Sequence, residues 1–130
     1  VVLFLLLVVI EFGGMFVWRS EPPSLNFSLT LDLRAPNAKQ PQISELLRKM
    51  NERLWLGHFD YWNDEGVAVF RHAIPMLDRI APDPGEVAAV LTAALDAADQ
   101  FLPAFNFVVW AGKSAEEAVA AVVFETAGEA

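Results

Sequence analysis

The chain contains no cysteine in its 130 residues, which excludes disulfide scaffolds and Cys-ligated zinc or iron–sulfur centres for want of ligands. Basic residues are scarce, 9 Lys and Arg against 17 Asp and Glu, for a net charge of −8. Gripping nucleic acid by its phosphates needs the opposite balance, so no nucleic acid partner is expected. Long hydrophobic runs are missing as well. Val1 to Ile10 is apolar throughout but then meets Glu11, Gly13 and Gly14, whereas a spanning helix needs about 20 apolar residues. Without a basic start or a small-residue cleavage site, the run does not read as a signal peptide. Its density of Val, Ile and Phe fits a buried strand better than a membrane-associating element. The expectation is a cytoplasmic protein with no membrane partner.

What is abundant is apolar. Hydrophobic residues make up 55% of the chain, with ten Phe and four Trp, which excludes a disordered chain. At this length the sequence reads as one domain, residues 1–130, around a single core.

The order of elements can be read from periodicity and turn residues. Met15 to Trp18 is extended, and Ser20-Glu21-Pro22-Pro23-Ser24 makes a turn. From Leu25 to Arg34 the chain alternates without error: Leu25, Phe27, Leu29, Leu31 and Leu33 face one way, and Asn26, Ser28, Thr30, Asp32 and Arg34 face the other. That is a strand with one buried face, whose polar face sees water or a partner. Ile43, Leu46, Leu47, Met50 and Leu54 then recur at helical spacing, with Glu45 and Lys49 as an i,i+4 pair. The spacing predicts a helix of about four turns ended by Gly57. His58 to Trp62 and Val67 to Ile74 read as a hairpin joined by Asn63-Asp64-Glu65-Gly66. In the simplest register Asp60 opposes Val69 and His58 opposes Arg71, and Phe59, Tyr61, Phe70, His72 and Ile74 share the core face.

Asp83-Pro84-Gly85-Glu86 announces a helix, with an N-cap Asp, Pro at the first helical position and Glu at N3. Its stripe is Val87, Val90, Leu91, Ala94, Leu95 and Ala98, continued by Phe101, Phe105 and Val108. Pro103 predicts a kink if the helix does not end there, and Gly112 caps the stretch. Ser114 with Glu117 is a second capping box, opening a short helix through Val119, Val122 and Val123. Charge is unevenly spread. Residues 83–130 hold 8 acids and 1 base, while residues 1–82 hold 9 acids and 8 bases. A solvated acidic helix face that keeps an apolar chain soluble accounts for this.

No catalytic constellation stands out. The only two histidines, His58 and His72, fall on opposite faces of the hairpin, poor geometry for a shared metal ion or a base pair. Asp60 and Arg71 are diagonal neighbours that read as a structural ion pair. The neighbouring carboxylates Asp64-Glu65, Asp96 with Asp99, and Glu116-Glu117 suit a turn, a wet helix face and a helix start in that order. Gly112-Lys113-Ser114 lacks the upstream glycine of a phosphate loop. No metal or cofactor is expected.

The aromatics are more suggestive. Trp55, Phe59, Tyr61 and Trp62 cluster at the helix-to-strand junction, and Phe101, Phe105, Phe107 and Trp110 crowd one helix. Because Phe107 and Trp110 lie off the main stripe, that helix is apolar over most of its circumference and needs cover on every side. In a two-layer domain a second subunit is the natural cover.

Asn51-Glu52-Arg53-Leu54-Trp55-Leu56-Gly57-His58-Phe59-Asp60-Tyr61-Trp62, with Glu65-Gly66-Val67 and Phe70-Arg71-His72, resembles the YbjN-domain family of bacterial proteins. Phe105 to Ser114 and Phe124 to Ala130 resemble the C-terminus of its alphaproteobacterial branch, and Leu31-Asp32-Leu33-Arg34-Ala35-Pro36 fits too. The resemblance covers about Met15 to Ala130. It implies an α+β fold like that of type III secretion chaperones, a two-layer antiparallel sheet with helices packed on one face, commonly dimeric. The family is described as sensory transduction regulators with no established reaction or ligand, so no catalytic residue carries over. Relatives usually begin with a polar helix that Val1 to Ile10 does not resemble. Residues 1–14 are therefore atypical, and the expectation is that this first helix is missing and what it covers is exposed.

Together these readings describe a non-catalytic, chaperone-like or regulatory adaptor in stress or sensory regulation, which binds a protein partner and forms a homodimer through the Asp83 to Gly112 helix. Trp55, Trp62, Phe107 and Trp110 are the expected contact residues, because large aromatics dominate interface energetics. The alternative is a small hydrolase that uses His58 or His72 with Asp60.

Overall fold

The computed structural model describes the backbone of residues 4–9 and 12–128 and the side chains of residues 13–124. Five strands form one antiparallel sheet: β1 (Phe4–Val9), β2 (Phe12–Ser20), β3 (Pro23–Asp32), β4 (His58–Trp62) and β5 (Val67–Pro75). Their spatial order is β1-β2-β3-β5-β4. Helix α1 (Gln40–Asn51) connects β3 to β4, and α2 (Pro84–Val109) and α3 (Ala115–Gly128) follow β5. Of the apolar run Val1 to Ile10, Phe4–Val9 is strand, as expected; the burial of its side chains lies outside the described residues.

Alternation in β3 determines both faces of the sheet. Leu25, Phe27, Leu29 and Leu31 are buried beneath the helices, and Leu33 packs against them half-buried. Register brings Phe16 opposite Phe27 and Phe70 opposite Leu29, so three strands contribute to one apolar layer. Phe59 stacks on Phe101 of α2 with ring centroids 4.5 Å apart and planes at 20°, and Phe70 meets Phe59 edge-on at 5.6 Å. Ile43, Leu46 and Met50 of α1 and Ala118 and Val122 of α3 complete the cluster. This is the α+β architecture expected, with the helices on one face.

The hairpin register is as read from sequence: Asp60 opposes Val69 and His58 opposes Arg71. Of the five side chains expected in the core from this hairpin, Phe59, Phe70 and Ile74 are buried, while Tyr61 and His72 are half-buried. The capping readings hold too. Asp83 N–H donates to the Glu86 carboxylate at 2.9 Å, and Ser114 and Glu117 exchange hydrogen bonds at 3.1 and 3.2 Å.

Other expectations need correction. Helix α1 ends at Asn51, just over three turns long and six residues before Gly57. Gly57 instead turns the chain into β4 at φ +72°, where an added Cβ would lie 2.3 Å from Cζ of Phe70. Glu45 pairs with Arg48 at 2.8 Å rather than with Lys49, because one guanidinium reaches both Glu45 and Glu52. Helix α2, by contrast, continues past Pro103 to Val109 as its stripe through Phe105 and Val108 indicates; proline has no N–H to offer the carbonyl four residues back. Helix α3 is longer than the short helix expected, and α1 and α3 of the same chain both pack on α2. Part of the cover assigned to a second subunit is therefore internal.

By length and composition α2 could cross a membrane, but Ala94, Ala98, Phe101, Phe105 and Val108 are buried in this core. A buried core helix satisfies the same criterion.

Candidate functional site

The four contact residues expected from sequence fall on three parts of the surface. Trp55, in the connection from α1 to β4, is 77% exposed. Trp62 ends β4 on the side of the sheet that no helix covers and is 45% exposed. Phe107 is half-buried on α2, where it lines a groove of about 530 Å³ with Lys113, Ala120 and the exposed Phe124 of α3. Trp110, one helical turn beyond Phe107, is 67% exposed. The fold thus places Phe107 and Trp110 on one helix and sends Trp55 and Trp62 elsewhere.

The charged centre of the open sheet face follows from the hairpin register. Arg71 Nη1 donates to Asp60 Oδ2 at 3.0 Å, and His58 Nε2 lies 3.5 Å from the same oxygen. Asp60 is thus shared by a guanidinium and an imidazole, all three partly exposed. Hydrolysis by His58 with Asp60 needs a nucleophile within hydrogen-bond reach. Ser28 shares their row but stands on β3, two strands from β4, which puts the backbones roughly 10 Å apart. His72 opposes the buried Phe27 on β3, and burial first, then the charge of His58, lowers its pKa below the ordinary 6.5. Among the described residues no three His, Asp or Glu side chains gather to hold a metal ion.

Two tethers that sequence reasoning missed hold the edges of this arrangement. The side-chain amide of Asn51 bonds both main-chain groups of Phe59, and the Tyr61 hydroxyl donates to the Leu33 carbonyl at 2.8 Å. Arg79 grips Glu86 with two guanidinium nitrogens at 2.6 and 3.2 Å and the Pro75 carbonyl at 3.0 Å. This fixes the loop before α2, on which Ile80 stands 98% exposed. Neither Asn51 nor Arg79 belongs to a periodic pattern. The outward position of Arg19 could have been read, because it shares parity with Met15 and Val17 rather than with the buried Phe16.

Neither the curated proteins nor the solved structures compared with this chain contain a match to it. A protein-family profile does match, over residues 10–107, and its family is described as a "putative bacterial sensory transduction regulator". The matched span contains the whole sheet except β1, all of α1 and most of α2. The chain belongs to the YbjN family.

Proposed function

We propose that the protein is a cytoplasmic, non-catalytic regulatory adaptor of chaperone-like kind, which binds a protein partner and works as a homodimer. The exposure of its large aromatic side chains carries this reading, Trp55 and Trp110 above all. A tryptophan left in water forgoes burial of about 150–250 Å², worth roughly 4–6 kcal/mol by area. Contiguous exposed apolar surface marks interaction sites, and indoles supply much of the energy where proteins meet. The α2–α3 surface, with Trp110, Phe107 and Phe124, is the part best suited to a second copy. Membership of a regulator family supports a non-enzymatic role.

Light scattering across a concentration series tests the reading. The expected mass is twice the 14.4 kDa of the chain, falling to that of the monomer when the exposed Trp110 is replaced in Trp110→Ser. A monomer at every concentration overturns the dimer, and a dimer indifferent to both Trp110→Ser and Phe124→Ser overturns its placement on the α2–α3 surface.

A further inference from the structure

The face of the sheet opposite the helices is neither flat nor evenly charged. A concavity of about 450 Å³ crosses β2, β3, β5 and the start of β4. Its floor includes Val17 and Val69, and Trp62 forms part of its wall. Val69 is only 1% exposed although no helix covers it, so the surrounding side chains already form a shaped depression. The charged groups in the lining are Arg19 and Arg71, with the imidazole-bearing His58 and His72 beside them. No carboxylate lines it among the described residues, in a chain that carries 17. Asp60 binds one nitrogen of Arg71, leaving the rest of that guanidinium free, and Arg19 has no carboxylate partner among the described residues.

We propose that this concavity binds a small organic anion, a carboxylate or phosphate head on an aromatic or aliphatic body. Three observations support this. The first is charge: two arginines, Arg19 and Arg71, line a depression whose lining holds no carboxylate in a molecule of net charge −8, and the neighbouring Asp60 engages only one nitrogen of Arg71. Guanidinium is also the side chain best matched to two-point recognition of carboxylate and phosphate. The second is the composition: Val17, Ala73 and the indole of Trp62 offer apolar surface beside the hydrogen-bonding side chains of Asn26, Ser28 and His58, a mixture that suits a ligand with a polar head and an apolar body. The third is size, since the volume falls within the roughly 300–1,000 Å³ typical of such sites. The head would lie at the guanidinium groups, with the body on the apolar side chains of the lining. This assignment is independent of dimerisation through α2 and α3, which lie on the other side of the sheet.

The test is NMR titration of the full chain with four probes of one shape: 3-phenylpropionate, 2-phenylethyl phosphate, 3-phenylpropanol and 3-phenylpropylamine. The two anions are expected to shift the Val69 methyls and the Trp62 indole N–H, with the alcohol and the amine at least tenfold weaker. Arg19→Gln and Arg71→Gln should each weaken the anions about tenfold, the loss of one charge-assisted contact. Arg19 is exposed, so its variant keeps the fold intact even if Arg71→Gln loosens the hairpin. No shift at millimolar anion overturns the proposal. So does equal binding of the alcohol, shifts confined to the α2–α3 groove, or binding of a glutamate-rich peptide without any of the small anions.

Discussion

Asn51 takes the place of a neighbouring strand for Phe59: its side-chain carbonyl accepts the Phe59 N–H at 2.7 Å, and its side-chain amide donates to the Phe59 carbonyl at 3.1 Å. Because β4 is an edge strand, these main-chain groups would otherwise be open to pairing with another chain. The last residue of α1 thereby closes the edge and docks the helix on the sheet. Replacing Asn51 with Ala should cost about 1–3 kcal/mol, the usual penalty for stranding partly buried polar groups. Asn51→Asp is the sharper variant, because a carboxylate can accept from the N–H but only repels the carbonyl. Chemical denaturation at neutral pH checks both, and wild-type stability in Asn51→Asp would contradict this role.

Gly57 should tolerate no side chain. Its φ of +72° is costly for an L-residue, and the Cβ of an alanine would fall 2.3 Å from Cζ and 2.8 Å from Cε2 of the buried Phe70. Gly57→Ala is expected to destabilise by at least about 2 kcal/mol, combining backbone strain with a displaced core ring. Gly13→Ala is the control, since nothing lies within 4 Å of the added carbon. Thermal melts of the two variants should differ clearly.

The clasp on the loop before α2 sets one pH response. The Arg79 guanidinium, and after it the Asp83 N–H, hold the Glu86 carboxyl below its ordinary value of 4.5. A carboxyl that is more acidic when folded contributes stability above its unfolded pKa and loses it as pH falls through the folded one. Glu86→Gln should therefore be less stable than wild type near neutrality, with the gap closing below pH 4.5. Denaturation midpoints for both proteins over a pH series provide the check.

His72 sets a second response at milder pH. Burial, and then His58, push its pKa below 6.5, so the unfolded chain takes up this proton first as the solution is acidified. Stability is full above 6.5 and declines as pH falls from there toward the folded value. In NMR titration His72 should titrate below 6.5, and His58→Gln should move it only part of the way back, because burial is the larger cause. A complete return would show that the neighbouring charge, not desolvation, dominates.

The contrast between what sequence reveals and what it hides is physical. The pairing of His58 with Arg71 is legible because a four-residue turn ties two short strands into one register, and β3 is legible because its period of two never fails. The choice of Arg48 over Lys49 for Glu45 was hidden, since both spacings lie on one side of a helix and only the reach of the side chains decides. The bond from Asn51 to Phe59 crosses an irregular connection that carries no period. The depression containing Arg19 and Arg71 was hidden for another reason. Those residues stand on β2 and β5, which are distant in sequence and are brought together only because both flank β3.

That central position of β3 makes its backbone a partition one peptide thick. Phe27 and Leu29 point to the aromatic interior, while Asn26 and Ser28 point to the basin on the other side. Sliding the strand by a single residue would exchange the two sets, turning the greasy side chains outward and the hydrophilic ones inward. Interior and basin are therefore two readings of the same alignment, and evolution cannot relocate one without dismantling the other.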